Sequence, residues 1–174
     1  MDYLFTPWRY QYISSIKPDS ACIFCLAGSP PEAQQNFSAE QLQKLDEERH
    51  VIFRARLSFV ILNRYPYTNG HLMIAPFQHI PDLASCSAPL LGEMMELAQR
   101  AEAALKEIYK PDGFNVGLNL GKCAGAGVED HLHLHILPRW AGDTNFLSVV
   151  GETRLLPESL EITYQKLQPF FQSK

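Results

Sequence analysis

Residues 131–140 read His-Leu-His-Leu-His-Ile-Leu-Pro-Arg-Trp. In an extended strand successive side chains point to opposite faces. His131, His133 and His135 therefore share one face, and Leu132, Leu134 and Ile136 share the other and enter the core. Three readings compete for such a row. One is a solvated sheet face, although Thr, Lys and Glu serve that purpose more naturally. Another is a three-histidine metal centre of the cupin or carbonic anhydrase kind. The third is nucleophilic catalysis: imidazole titrates near neutrality, so one histidine attacks as the neutral base while another acts as acid.

Two other stretches offer chemistry. Asn119-Leu120-Gly121-Lys122-Cys123-Ala124-Gly125-Ala126-Gly127-Val128 is rich in small residues whose backbone N–H groups can cradle phosphate oxygens. Glycine content alone would equally describe a flexible loop. Its place directly before three one-faced histidines is what favours phosphate. Cys22-Ile23-Phe24-Cys25 has the spacing of half a zinc site. By itself it also fits buried or redox-active thiols, because a second ligand pair is required. Cys86 and Cys123 match no ligand spacing and read as small packing residues. His50 reads as a solvated residue at the start of a strand.

These residues need elements to place them. Ser38-Ala39-Glu40-Gln41 fits the capping box of a short helix reaching Glu48. Val51-Ile52-Phe53, Phe59-Val60-Ile61-Leu62 and His71-Leu72-Met73-Ile74-Ala75 read as strands of an antiparallel meander, with an Asn69-Gly70 turn before the third. Leu90, Met94, Leu97, Ala101, Leu105 and Ile108 recur at helical spacing over 89–110, and Pro111-Asp112-Gly113 ends that helix. Strands are expected over 114–120 and 131–137, the latter ended by Pro138, and a closing helix over 158–171. The class is α+β with one mainly antiparallel sheet.

The whole amounts to one domain over 1–174, with residues 1–20 an aromatic-rich extension. Fifteen Lys and Arg stand against nineteen Asp and Glu, a formal charge of −4. That balance argues against holding long nucleic acid or an anionic membrane by bulk charge, and leaves room for a small nucleotide in a local pocket. No apolar run is long enough to span a bilayer. The N-terminus MDYLFTPWRYQYIS lacks the basic and then apolar regions of a signal peptide, so the expected compartment is the cytosol.

The run His131-Leu132-His133-Leu134-His135-Ile136-Leu137 resembles, at every position, the His-φ-His-φ-His-φ-φ signature of the histidine triad superfamily of nucleotide hydrolases and transferases, where φ is apolar. Leu62-Asn63-Arg64-Tyr65-Pro66 through Gly70-His71-Leu72-Met73-Ile74-Ala75-Pro76 is similar to that family's nucleoside-binding strand and turn. Phe114 to Gly121 is similar to its phosphate-side strand. The likeness covers roughly residues 22–147, and implies the histidine triad fold.

The resemblance implies that His133 attacks the α-phosphorus of a dinucleoside polyphosphate, forming a transient nucleotidyl-imidazole with no catalytic cofactor. His135 assists proton transfer, and His131 completes the catalytic row. Asn119 lies beside the phosphates, Asn63 on the ribose-phosphate side, and His71 supports a triad imidazole. Where hydrolase members carry Gln and then Ser or Thr, this chain has Ala126 and Gly127, with Glu129-Asp130 making the connection one residue longer. Backbone N–H groups of Gly125, Ala126 and Gly127 would then serve the phosphates.

Thr6-Pro7-Trp8-Arg9 and Gly142-Asp143-Thr144-Asn145-Phe146 look like the bacterial branch that includes diadenosine tetraphosphate phosphorylases, which use inorganic phosphate as acceptor. Hydrolysis and phosphorolysis both stay open, as do a nucleoside phosphoramidase, an AMP-lysine hydrolase and a non-catalytic nucleotide-binding regulator. Some bacterial members join a C-x-x-C to the histidine of a Pro-x-x-His-Ile segment and to the first triad histidine. The corresponding structural zinc set here is Cys22, Cys25, His79 and His131. The family is homodimeric, with sheets joined across the interface, which implies a homodimer here.

Overall fold

The computed structural model describes residues 22–28, 37–144 and 156–172, so the expected extension over 1–20 lies outside the described residues. The elements in order are α1 (Ile23–Ala27), α2 (Ala39–Arg49), β1 (Val51–Arg54), β2 (Ser58–Leu62), β3 (Leu72–Pro76), α3 (Ala88–Tyr109), β4 (Gly113–Leu118), a 3-10 turn (Lys122–Ala124), β5 (Leu134–Arg139) and α4 (Leu160–Gln172). The strands form one sheet in the order β1-β2-β3-β5-β4. Each neighbouring pair is antiparallel. The expected α+β class and the 51–75 meander are what the chain forms.

Local chemistry sets the element ends. The capping box of α2 is present: Gln41 N–H donates to Ser38 Oγ at 3.2 Å, and Ser38 N–H to Gln41 Oε1 at 2.8 Å. His50 takes the left-handed C-cap of α2, with φ 58°, so it links helix to strand and is not itself in β1. Gly70 closes the turn into β3 at φ 72°, where an added Cβ would stand 2.8 Å from Leu105 Cδ2. Both the positive φ and the close approach require glycine.

One face of the sheet is covered by helices. Val60, Leu62, Leu72, Ile74, Leu132, Leu134 and Ile136 pack there against Leu90, Met94, Leu97, Ala101 and Leu105 of α3 and Tyr164, Leu167 and Phe171 of α4. The spacing of the α3 residues is the apolar stripe read from the sequence. The opposite face carries a smaller cluster, in which Phe24 and Ala27 of α1 cover Val51, Phe59, Ile61, Met73 and Ala75.

Three expectations are corrected. β5 begins at Leu134, not His131, so His131 and His133 precede its ladder. β5 also continues through Pro138, which faces Phe114 of β4. On the other side the β3 ladder stops at Leu72 and Ile136, so the proline nitrogen costs no bond there. Cys123, read as a packing residue, is exposed, while Cys86 packs on the main core as expected.

Candidate functional site

His131, His133 and His135 are all buried, and Leu132, Leu134 and Ile136 are buried in the main core. The expected alternation therefore holds across 131–136 although only half of it lies in ladder. His135 is paired with Met73 and so faces the smaller cluster. Phe24 lies against His131 and His133, with ring centroids 5.2 and 4.8 Å away. The His133 and His135 rings meet edge to face at 4.8 Å.

Hydrogen bonds assign each imidazole a tautomer. His133 Nδ1 lies 2.8 Å from the His131 carbonyl oxygen, which only accepts, so Nδ1 carries the proton and Nε2 the free lone pair. His131 Nε2 donates to the Pro76 carbonyl at 2.9 Å, which leaves its Nδ1 unprotonated. His71 Nδ1 accepts from Tyr67 N–H at 3.2 Å and from the Asn63 amide at 3.3 Å. Its Nε2 therefore donates to His135 Nδ1 at 2.9 Å, and the remaining proton of His135 sits on Nε2. This gives a nucleophile-ready nitrogen on His133 beside a donor nitrogen on His135.

Burial also keeps these rings neutral. It pushes His71 down to about 3, with help from His135 and His133, and His135 down to about 4, with help from His133. His131 and His133 are lowered too, again chiefly by burial. A neutral imidazole at physiological pH is the form that attacks an electrophile.

The Cys₂His₂ set comes together as implied. Its four donor atoms all lie within 4.8 Å of one another. His131 Nδ1 is 3.4 Å from Cys22 Sγ, 3.6 Å from Cys25 Sγ and 3.3 Å from His79 Nδ1, and Cys25 Sγ is 3.2 Å from His79 Nδ1. Donors around one tetrahedral zinc ion would stand about 3.3–3.8 Å apart, given its bond lengths to sulfur and nitrogen. The residues present fit a metal ion in spacing and in donor type. The His131 Nε2 bond to Pro76 supplies the outer hydrogen bond that metal-binding histidines use to hold their orientation. Burial, with Cys22 beside it, pushes the Cys25 thiol up to about 11, a cost that coordination to a cation removes.

The other expected residues are placed less directly. Asn119 is half-buried and directly follows β4, one residue beyond the Leu118–Leu134 pair in the direction of His133. Asn63 spends its side chain on His71 and on Tyr65 N–H, so it supports the imidazole pair. In the glycine loop, Gly125 N–H donates to the Lys122 carbonyl at 2.9 Å and Ala126 N–H to Gly121 at 3.4 Å. Those two groups are turned into the loop, and Gly127 follows them, half-buried.

Sequence reasoning missed Phe24 and Tyr67. Tyr67 gives its backbone N–H to His71 and lays its ring 4.8 Å from His71 and 6.3 Å from His135. An aromatic inside C-x-x-C, and one beside the Asn-Gly turn, were the available signals.

A family model described as the HIT domain matches residues 44–142. The chain is 36% identical over 171 residues to a Mycobacterium tuberculosis protein named AP-4-A phosphorylase, covering 94% of this chain and 81% of that one. It is 30% identical over 95 residues to the bis(5'-adenosyl)-triphosphatase of Dictyostelium discoideum, covering 55% of this chain and 63% of that one. Among solved structures it is similar to a Zn-bound histidine triad family protein from Mycobacterium smegmatis, with TM-score 0.64 and 27% identity, covering 87% of this chain and 93% of that one. The chain belongs to the HIT domain family.

Proposed function

Starting from a member of the HIT domain family, we propose that this protein cleaves dinucleoside polyphosphates through a covalent nucleotidyl-histidine at His133. The observation that carries this is the His133 Nδ1 bond to the His131 carbonyl, which leaves Nε2 free to attack. In the first step Nε2 forms a bond to the α-phosphorus and the bond to the bridging oxygen breaks, releasing the remaining polyphosphate. The His131 carbonyl stabilises the positive charge that the ring acquires. In the second step an acceptor oxygen attacks phosphorus, the P–N bond breaks and the lone pair returns to Nε2. His135, donating from Nε2, is placed to hydrogen-bond a phosphoryl or leaving oxygen. Asn119 and the Gly125–Gly127 loop flank the phosphates.

The preferred acceptor is inorganic phosphate, supported by likeness over 94% of this chain to a protein named as a phosphorylase. Diadenosine tetraphosphate would then yield ATP and ADP. Incubation with that substrate, with and without phosphate, tests this. ADP only in the presence of phosphate supports phosphorolysis, and AMP plus ATP in water alone makes the enzyme a hydrolase. An unreactive protein, or a His133→Ala variant as active as wild type, would overturn the covalent mechanism.

Cys22, Cys25, His79 and His131 would hold a structural zinc ion, which joins α1 to the histidine row. Metal analysis of wild type and Cys22→Ser tests it. A homodimer is supported by β4, an edge strand, whose residues Gly113–Leu118 carry no charge and expose Val116. Sedimentation mass checks it. The cytosol is the proposed compartment, since paired metal-binding thiols persist where thiols stay reduced.

A further inference from the structure

Phe24 occupies an unusual position. It lies between two cysteines of the Cys₂His₂ cluster, and its ring rests on His133 at 4.8 Å and on the cluster histidine His131 at 5.2 Å. It is 2% exposed. The helix that carries it has five residues, too few to persist without tertiary support. That support comes from the packing of Phe24 and Ala27 on Val51, Phe59, Ile61, Met73 and Ala75, and from polar contacts at its two ends. At the C-terminal end Arg54 donates to the Ala27 carbonyl at 2.8 Å, and Arg49 donates to the Leu26 carbonyl. Toward the N-terminal end Cys22 and Cys25 meet His79 and His131 of the cluster.

We propose that Phe24 is the positioning residue through which the metal cluster seats the nucleophilic imidazole: with an ion joining the two cysteines to His131 and His79, α1 is held so that the Phe24 ring keeps His133 against the His131 carbonyl. This rests on the reading of His133 as nucleophile. It assigns the ion a task beyond folding. Among the described residues His133 has one directional bond, through Nδ1, and rotation about χ2 would break it and aim Nε2 elsewhere. A flat ring at 32° to the imidazole opposes that rotation. Loss of the ion leaves two thiols and two imidazoles with only their weaker mutual contacts, and loosens the hold on the N-terminal end of α1.

The test reads the His133 ring directly, by nitrogen-15 NMR of histidine-labelled protein, in three forms: zinc-loaded wild type, chelator-stripped wild type and zinc-loaded Phe24→Leu. Leucine keeps the helix packed by an apolar side chain but offers no flat surface. Zinc-loaded wild type should show one fixed Nδ1–H tautomer at His133. The stripped protein and Phe24→Leu should both show that signal broadened or averaged, while Phe24→Leu still binds one zinc per chain. In turnover of diadenosine tetraphosphate with phosphate, Phe24→Leu should lose about tenfold in kcat with KM changed less than about twofold, the pattern of a misaligned reacting group.

An unchanged His133 signal in zinc-loaded Phe24→Leu overturns the proposal. If that signal changes only on stripping, the coupling runs through the His131 backbone instead. Should Phe24→Leu fail to fold, the stripped and loaded wild-type spectra decide: an identical His133 signal in both defeats the proposal. Absence of any turnover by wild type would defeat the catalytic reading, and the ring signals would still report whether Phe24 and the ion hold His133.

Discussion

Within β5 two adjacent residues enter two different environments. Ile136 points to the helix-covered face, where it is buried in the core that α3 and α4 cover and no directional bond constrains its side chain. His135 points the other way, into a thinner layer, where a bond to His71 fixes its proton and Tyr67 and His133 flank its ring. The first environment needs volume and apolarity, and many side chains satisfy it. The second needs a particular atom at a particular angle, and few do. The helix-covered face secures the fold, so the opposite face is free to bury a row of imidazoles that contributes little apolar packing of its own.

The comparison breaks down if substitutions on the two faces have the same consequences. The largest effect is expected at His133. His133→Ala should lower kcat by at least about a thousandfold through loss of the nitrogen proposed to attack, with the fold intact by circular dichroism. A variant within tenfold of wild type would remove the distinction at its strongest point. On the other face, Ile136→Ala should destabilise the protein by about 2–5 kcal/mol in denaturant unfolding, because a fully buried side chain leaves a cavity. Its kcat per folded molecule should stay near wild type. A large kcat loss there would mean that the core tunes the imidazoles directly.

Both faces were legible in the sequence to different depths. The period-2 alternation of Leu132, Leu134 and Ile136 against the histidines announced the partition, and the α3 stripe announced its cover. Both signals are repeated over many residues. The short α1 was not legible, because five residues carry too little pattern and its stability comes from tertiary contacts: the packing of Phe24 and Ala27 on the sheet, Arg49, Arg54 and the cysteine cluster. The start of β5 was misjudged because side-chain alternation continues in extended chain that has no ladder partner. The contact of the Asn63 amide with His71 was not legible, because tertiary geometry sets it. The donors in the Gly125–Gly127 loop depend on which N–H groups the loop uses itself, and composition is silent on that.

His71 sharpens the comparison, since it touches no ladder partner of the core yet fixes the proton on His135. His71→Gln should cost about ten- to hundredfold in kcat, as when the orienting partner of a functional imidazole is lost. KM should change little. The pH profile of kcat should also move, because an amide can turn either its NH2 or its oxygen toward His135, so Nδ1 is no longer held unprotonated. An unchanged profile and rate would reduce His71 to a packing residue.

The last contrast concerns stability against pH, and it separates the faces without any substrate. The helix-covered face buries no ionisable imidazole, so it adds no histidine-linked slope. On the other face His71 is held down to about 3 and His135 to about 4, against an ordinary value of 6.5. Above pH 6.5 both states leave these rings neutral and neither contributes a slope. As pH falls below 6.5 the unfolded chain binds protons that the folded chain refuses, so stability drops by about 1.4 kcal/mol per pH unit for each such ring. The drop continues to about pH 4 for His135 and about pH 3 for His71, below which the folded rings protonate as well. Metal-free protein should be used, because acid also displaces metal from thiolate and imidazole ligands. Urea midpoints between pH 7.5 and 4.5 should then fall steeply for wild type, and less steeply for His71→Gln by the share of one histidine. Ile136→Ala should shift the whole curve downward without changing its slope. Equal slopes in wild type and His71→Gln would show that the buried imidazole pair is not held neutral, and that the two faces differ less than their geometry indicates.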